Sequence, residues 1–167
     1  MPTKQTIAKA RADKRAGKSP STQAGEFIRD EIDKIRRGKH GARSSRQAIA
    51  IGLSEARRSG VDLPPPRKGR TTKATRRKAK YDSDVGQGRR KAKKRPRVAR
   101  AVERVLQGEP RRAASHRALS RQARRAAARR GAGSRSAAAH KAMRTKGAKG
   151  RSMAAKKAAR TRARNRR

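Results

Sequence analysis

The chain has 167 residues and a formal net charge of +42, and its 31% of hydrophobic residues is mostly alanine. Phe, Ile, Leu and Val together number only 16, which argues against one ordinary domain, because so little apolar burial does not offset the entropy of ordering the whole backbone. With no cysteine there is no disulfide framework and no thiolate metal site, and no run approaches the ~18 apolar residues that a membrane span needs.

Residues 1–18 (MPTKQTIAKARADKRAGK) read as a basic arm, helical in part from Ile7 to Arg15 and otherwise a frayed terminus. Without an apolar stretch near its start, no secretory leader is expected.

The segment 19–66 differs from everything around it. It holds nine of the 16 large aliphatic and Phe residues and six of the 11 acids, and its own charge is about +3, from nine Lys/Arg against six Asp/Glu. A mini-domain of about 45 residues, itself near the size where a core becomes marginal, is expected here. Ser19 or Ser21 caps a first helix, with Pro20 suited to its first position. Phe27, Ile28, Ile32 and Ile35 form one apolar stripe at helical spacing. Asp30 to Lys34 and Asp33 to Arg37 are i,i+4 pairs of the favourable orientation, and Gly38 suits the C′ position. After a Gly38–Arg43 linker, Ser44 and Gln47 make a capping box. The second helix carries Ile49 and Leu53, ends at Gly60 with Val61 as the apolar contact, and is stopped by Pro64, Pro65 and Pro66. The two helices read as an αα-hairpin over about 20–60, with a core of Phe27, Ile28, Ile32, Ile35, Ile49 and Leu53. A lone hairpin exposes much of its stripe, so Val98–Leu106, a second copy of the chain or a bound polyanion is expected to complete it.

Residues 67–95 read as a disordered basic linker, broken only by the acidic YDSDVGQ run at 81–87. A short third helix is expected over 96–108, with Val98, Val102, Val105 and Leu106 at i, i+4, i+7 and i+8; whether it docks on the hairpin is left open. No acid follows Glu109, and residues 110–167 hold 21 Lys/Arg among many alanines. Alanine and arginine both favour helix, while Gly131, Gly133, Gly147 and Gly150 cut this 109–167 cationic tail into short pieces. The fold class is therefore mainly α with extensive disorder.

No catalytic constellation is visible, so no enzyme and no cofactor are expected. His40, His116 and His140 lack a second ligand type at metal spacing. Glu26, Asp30, Glu31 and Asp33 read as helix-surface ion pairs rather than a paired-carboxylate site. The run GKHGARSS at 38–45 lacks the order of a phosphate loop. A weaker version sets the N–H groups of the second helix, with Lys39, His40, Arg43 and Arg46, against one phosphate; the alternative is a plain capped loop.

The charge points to a polyanion. Candidate phosphate contacts are Lys39, Arg43, Arg46, Arg57 and Arg58 in the hairpin. In the tail they are Arg117, Arg121, Arg124, Arg125, Arg129, Arg130, Lys156, Lys157 and Arg160. Base stacking is disfavoured, because Phe27 and Tyr81 are the only aromatics and stacking modules need several. Duplex DNA held by its backbone is the first expectation, in the nucleoid of a cytoplasm. RNA or the ribosome stands as an alternative, since long basic arms also thread ribosomal RNA; so does a regulatory module that binds a protein while the arms supply localisation. The tail lacks the Trp, Phe and Leu face that membrane insertion needs.

The text SPSTQAGEF, then GKHGARSSRQAIAIGLSEARRSG and LPPP, resembles a family of small, very basic bacterial proteins known as a domain of unknown function. Some carry a generic DNA-binding or nucleoid label. Residues 109–131 resemble the downstream region of longer members. The resemblance implies no catalytic residues. The Ala/Arg/Lys tail is similar in composition to linker-histone tails.

Overall fold

The computed structural model describes residues 2–164. The elements run α1 Lys4–Arg15, α2 Pro20–Arg36, α3 Ser45–Arg58, α4 Lys73–Gly86, α5 Pro96–Gln107, a 3₁₀ turn Arg111–Ala114, α6 His116–Ala128 and α7 Ala132–Arg164. Among the described residues there is no strand. The chain divides into two compact units, Met1–Gln122 and Ala123–Arg167.

The first unit is built on the expected hairpin. Ser19 precedes Pro20 at the start of α2, and Ser44 Oγ accepts from the Gln47 N–H at 3.3 Å at the start of α3. The Gln47 side chain reaches the Arg43 N–H at 2.8 Å, one residue before the position a capping box would use. Both helices end in Schellman turns. The Gly38 and Lys39 N–H groups return to Ile35 and Lys34, and those of Gly60 and Val61 return to Arg57 and Ala56. Gly38 (φ 75°) and Gly60 (φ 89°) supply the left-handed backbone these turns require. Asp30 pairs with Lys34 at 3.0 Å, while Asp33 lies nearest Arg36, at 4.0 Å, rather than Arg37.

The helices approach closely because small residues line their contact. A Cβ on Gly52 of α3 would stand 2.8 Å from Ile28 Cα and 3.1 Å from the Phe27 carbonyl oxygen, so the α2 and α3 backbones touch at Gly52. On one side of this crossing Phe27, Ala10, Ala24, Ala56 and Val61 form a buried cluster, with Ile7, Leu53 and Leu63 against it. On the other side lie Ile35, Ala42, Ala48, Ala113 and Ala114, with Ile32 against them. Of the expected core, Phe27 and Ile35 are buried, and Ile28, Ile32, Ile49 and Leu53 are half-buried. Alanine supplies most of the rest of the interior.

The unit is larger than the hairpin. The amino-terminal arm is a full helix packed on α2. Thr3 Oγ1 accepts from the Thr6 N–H at 3.1 Å to cap it, and it buries Thr6 and Ala10. The stretch expected as a disordered linker contains α4, capped by Thr72 and packed on α3, with Ala79, Asp82 and Ser83 buried. The acidic run is the part of α4 that docks: fully buried Asp82 pairs with Lys78 and has Arg58 Nε at 3.9 Å. Segment 110–115 is also tied down. Ser45 Oγ donates to the Ala113 carbonyl at 2.6 Å, and Arg36 Nε donates to that of Ala114 at 3.0 Å.

Helix α5 forms where expected but does not bury any residue. Its ends are held instead. The Gly41 N–H donates to the Leu106 carbonyl at 2.7 Å, and the Lys93 N–H donates to Tyr81 Oη at 2.9 Å.

In the second unit, α7 runs through Gly133 and Gly150 and breaks its helical geometry only at Gly147 (φ 60°, ψ 177°). Two helical stretches result where short pieces were expected, in keeping with the helix preference of alanine and arginine.

Candidate nucleic-acid interface

The distribution of charge follows from where the acids fold. Asp13, Glu26, Asp30, Glu31, Asp33, Glu55, Asp82 and Asp84, eight of the 11 acids, each lie within ion-pair reach of a base in the first unit. From Pro110 onward there is no acid to pair with.

The tail residues singled out from the sequence lie in the open. Arg117, Arg121, Arg124 and Arg125 on α6, Arg129 and Arg130 after it, and Lys156, Lys157 and Arg160 on α7 are all exposed. On α6 the four arginines recur at i, i+4, i+7 and i+8, which sets them along one side of the helix. Along α7 the cations alternate with short runs rich in alanine.

The hairpin residues divide. Lys39 and Arg43 are exposed, and Arg46 is exposed with its Nε 3.4 Å from Gln122 Oε1. Arg58 is half-exposed, and its Nε donates to the Ser54 carbonyl at 3.2 Å. Arg57 does not belong to a phosphate-facing set. It is 7% exposed, its guanidinium donates to the Pro64 carbonyl at 3.4 Å, and burial lowers its pKa against the raising charge of Asp82. It lies on the side of α3 that α4 covers, so it is an internal charge rather than a surface one.

The Gly38–Gly41 loop borders an open cleft with Gln107, Glu109, Pro110 and Arg111. The backbone N–H groups that lead from this loop toward α3 are already taken. Gly41 donates to Leu106, Ala42 to Pro110 at 3.3 Å, and Arg43 to the Gln47 side chain. A Cβ on Gly41 would overlap the Glu109 carbonyl, so the two segments lie backbone to backbone. Any anion at this mouth would meet side chains, Lys39 and Arg111 among them.

His40 is turned inward. Its Nδ1 lies 3.0 Å from its neighbour's carbonyl oxygen, on Gly41, and its Nε2 is 3.6 Å from Glu31 Oε1. Glu31 is 1% exposed, and its Oε1 lacks a hydrogen-bond partner. Burial pushes the Glu31 carboxyl up; His40 pulls it down, Glu55 adds to the rise, and Lys34 opposes it. Among the described residues, no group of three or more His, Asp or Glu is placed to hold a metal ion, and no helix is long and apolar enough to cross a membrane.

Both aromatics are occupied. Phe27 is core, and the Tyr81 ring has Lys78 Nζ and the Arg90 guanidinium each 5.2 Å from its centre. No curated protein and no protein of solved structure matches the chain. Residues 11–69, which run from α1 through the hairpin to the turn before α4, match the model of a family of unknown function (DUF6496).

Proposed function

We propose that this chain is a non-enzymatic protein that holds duplex DNA by its phosphate backbone, with little preference for sequence, as a nucleoid-associated protein does. The observation that carries the reading is the segregation of charge. Eight of the 11 acids pair with bases inside the first unit, and 110–167 holds 21 Lys/Arg with no acid among them. Each cation that meets a phosphate releases condensed counterion, so binding follows charge rather than base identity. The occupied aromatics support a backbone-contacting mode over a stacking platform. Arg exceeds Lys in the composition, which suits bidentate phosphate contacts. The linker-histone-like composition of the tail fits the same role.

The test is a titration of the full chain against random-sequence duplexes from low to high salt. If about ten cations engage, the log–log slope is about −9, and it is the same for unrelated sequences. A slope near zero, or an affinity confined to one sequence, overturns the proposal. Duplex RNA of equal length, run beside the DNA, asks whether the grip depends on the sugar; tighter binding to RNA also counts against it.

A further inference from the structure

Helix α5 carries an apolar stripe that the described residues of its own unit leave exposed. Val98, Val102 and Val105 are 53%, 52% and 63% exposed. With Leu106, they recur at the spacing that keeps residues on one helix face. The other exposed large hydrophobics among the described residues are Met143 and Met153, single residues on α7. The stripe is not waiting to fold onto the hairpin. Leu106 is tied to the Gly41 loop, and the segment before Pro96 is tied to Tyr81, which hold the helix by its ends.

The placement of charge on α5 restricts what can cover it. Arg97, Arg100 and Arg104 fall together on the half of the helix nearly opposite the valines. An acidic groove that took the valines into its floor would have arginines pointing away from its rim, so it would gain nothing from them. A bilayer interface calls for bulkier Trp, Phe or Leu anchors than three valines. A surface that is apolar, of equal length and indifferent to the arginines fits better, and a second α5 is such a surface. Two copies paired by their valine faces turn both arginine faces outward, on opposite sides, each toward a phosphate backbone.

We infer that α5 is the self-association face of this protein, closed only when the charge of the chain is neutralised. A 12-residue helix is about 18 Å long, and one stripe on it falls well short of the ~1,200 Å² of a stable interface. Two chains of +42 also repel. Copies seated on one duplex escape both limits: phosphate removes the repulsion, and proximity raises the effective concentration to the order of millimolar. This use of duplex rests on the function proposed above; the pairing of α5 does not.

The chain has no cysteine, so Val102→Cys and Arg100→Cys each introduce one thiol, on opposite faces of α5. Both full-length variants are treated with a short bis-maleimide in two settings. One is a duplex long enough for several copies; the other is protein at about 1 mM, matching the effective concentration on a duplex, in about 1 M salt, where charges are screened within ~3 Å. In both, the expected result is dimer from Val102→Cys at least about tenfold faster than from Arg100→Cys, the excess that face-to-face pairing at raised effective concentration implies. Equal rates, or no dimer, in both settings overturn the inference. Preferential crosslinking of Val102→Cys in salt by a chain that binds no duplex keeps the pairing and sinks the DNA reading. Duplex binding with the two variants crosslinking equally in both settings does the reverse.

Discussion

Replacing Gly52 by alanine tests the closest approach in the fold. Gly52 sits inside α3, where glycine is about 0.5–1 kcal/mol worse than alanine for the helix itself. On propensity alone the substitution would stabilise. The new Cβ, however, would lie 2.8 Å from Ile28 Cα, 3.0 Å from Ile28 N and 3.1 Å from the Phe27 carbonyl oxygen. All three are backbone atoms of α2, so no side chain can swing aside and the helices must separate. Overpacking of this kind costs about 1–3 kcal/mol, and the balance is a net loss of roughly 1–2 kcal/mol. At about 3–5 °C per kcal/mol for a unit of this size, between the values for smaller and larger domains, the melting temperature falls by roughly 3–10 °C. Gly25 is the matched control: it is also helical, its φ is not positive, and a Cβ there meets nothing within 4 Å. Gly25→Ala is expected to raise the melting temperature by a few degrees, about 0.5–1 kcal/mol. Thermal melts followed by the fluorescence of Tyr81, the single tyrosine, report on the first unit, whereas far-ultraviolet dichroism also counts α7. If Gly52→Ala melts with or above Gly25→Ala, the α2–α3 backbone contact is refuted.

Two further substitutions address buried charge. Burial holds the Glu31 pKa above its ordinary value, so the folded chain binds this proton more tightly than the unfolded chain does. The stability Glu31 contributes is then present below the ordinary glutamate pKa and is lost as pH rises through the raised one. Glu31→Gln is expected to flatten the melting temperature against pH across that window; an unchanged profile counts against a buried carboxylate. Asp82→Ala removes the acid nearest Lys78, Arg58 and the buried Arg57. An internal guanidinium left without its counter-charge costs about 1–3 kcal/mol, seen as a lower urea midpoint, and a midpoint equal to the parent's shows that Asp82 does not hold α4 on α3.

The hairpin was legible because its signals are local. Ser44, Gly38, Gly60 and Val61 announce caps and Schellman turns within a few residues of themselves, and Phe27 and Ile35 repeat at helical spacing. What the sequence concealed depends on partners far along the chain. Ala113 and Ala114 look like tail composition, yet they are buried under α2 and α3 because Ser45 and Arg36 reach their carbonyls. Ala79 and Asp82 sit in a stretch with few apolar side chains, and they pack because Gly86 lets α4 approach the Arg57 carbonyl. An inventory of Leu, Ile, Val and Phe underestimates a core whose helices meet through alanine and glycine. Of the candidate interface, exposure of the tail cations needed only composition. The inward turn of Arg57 did not show, since its neighbours Arg58 and Ser59 read as a surface helix end and the helix that covers it is 15 or more residues away.

The acids explain how so basic a chain folds at all. In the hairpin segment, nine Lys/Arg stand against six Asp/Glu, and several of those acids lie at helix contacts: Glu31 toward His40, Glu55 and Asp30 toward Lys34. Lys34 shows the result. Burial alone would lower its pKa, yet the Asp30 hydrogen bond and the charges of Glu55, Asp30 and Glu31 raise it. The ammonium is therefore favoured where helices meet, rather than repelled by its neighbours. Self-repulsion is thus answered locally where the chain must pack. It is left unanswered after Pro110, where α6 and α7 need only stay helical. A uniform scatter of the same acids would neutralise neither region. Concentrating them balances charge where the hairpin packs and leaves the residues after Pro110 with theirs unpaired by any acid.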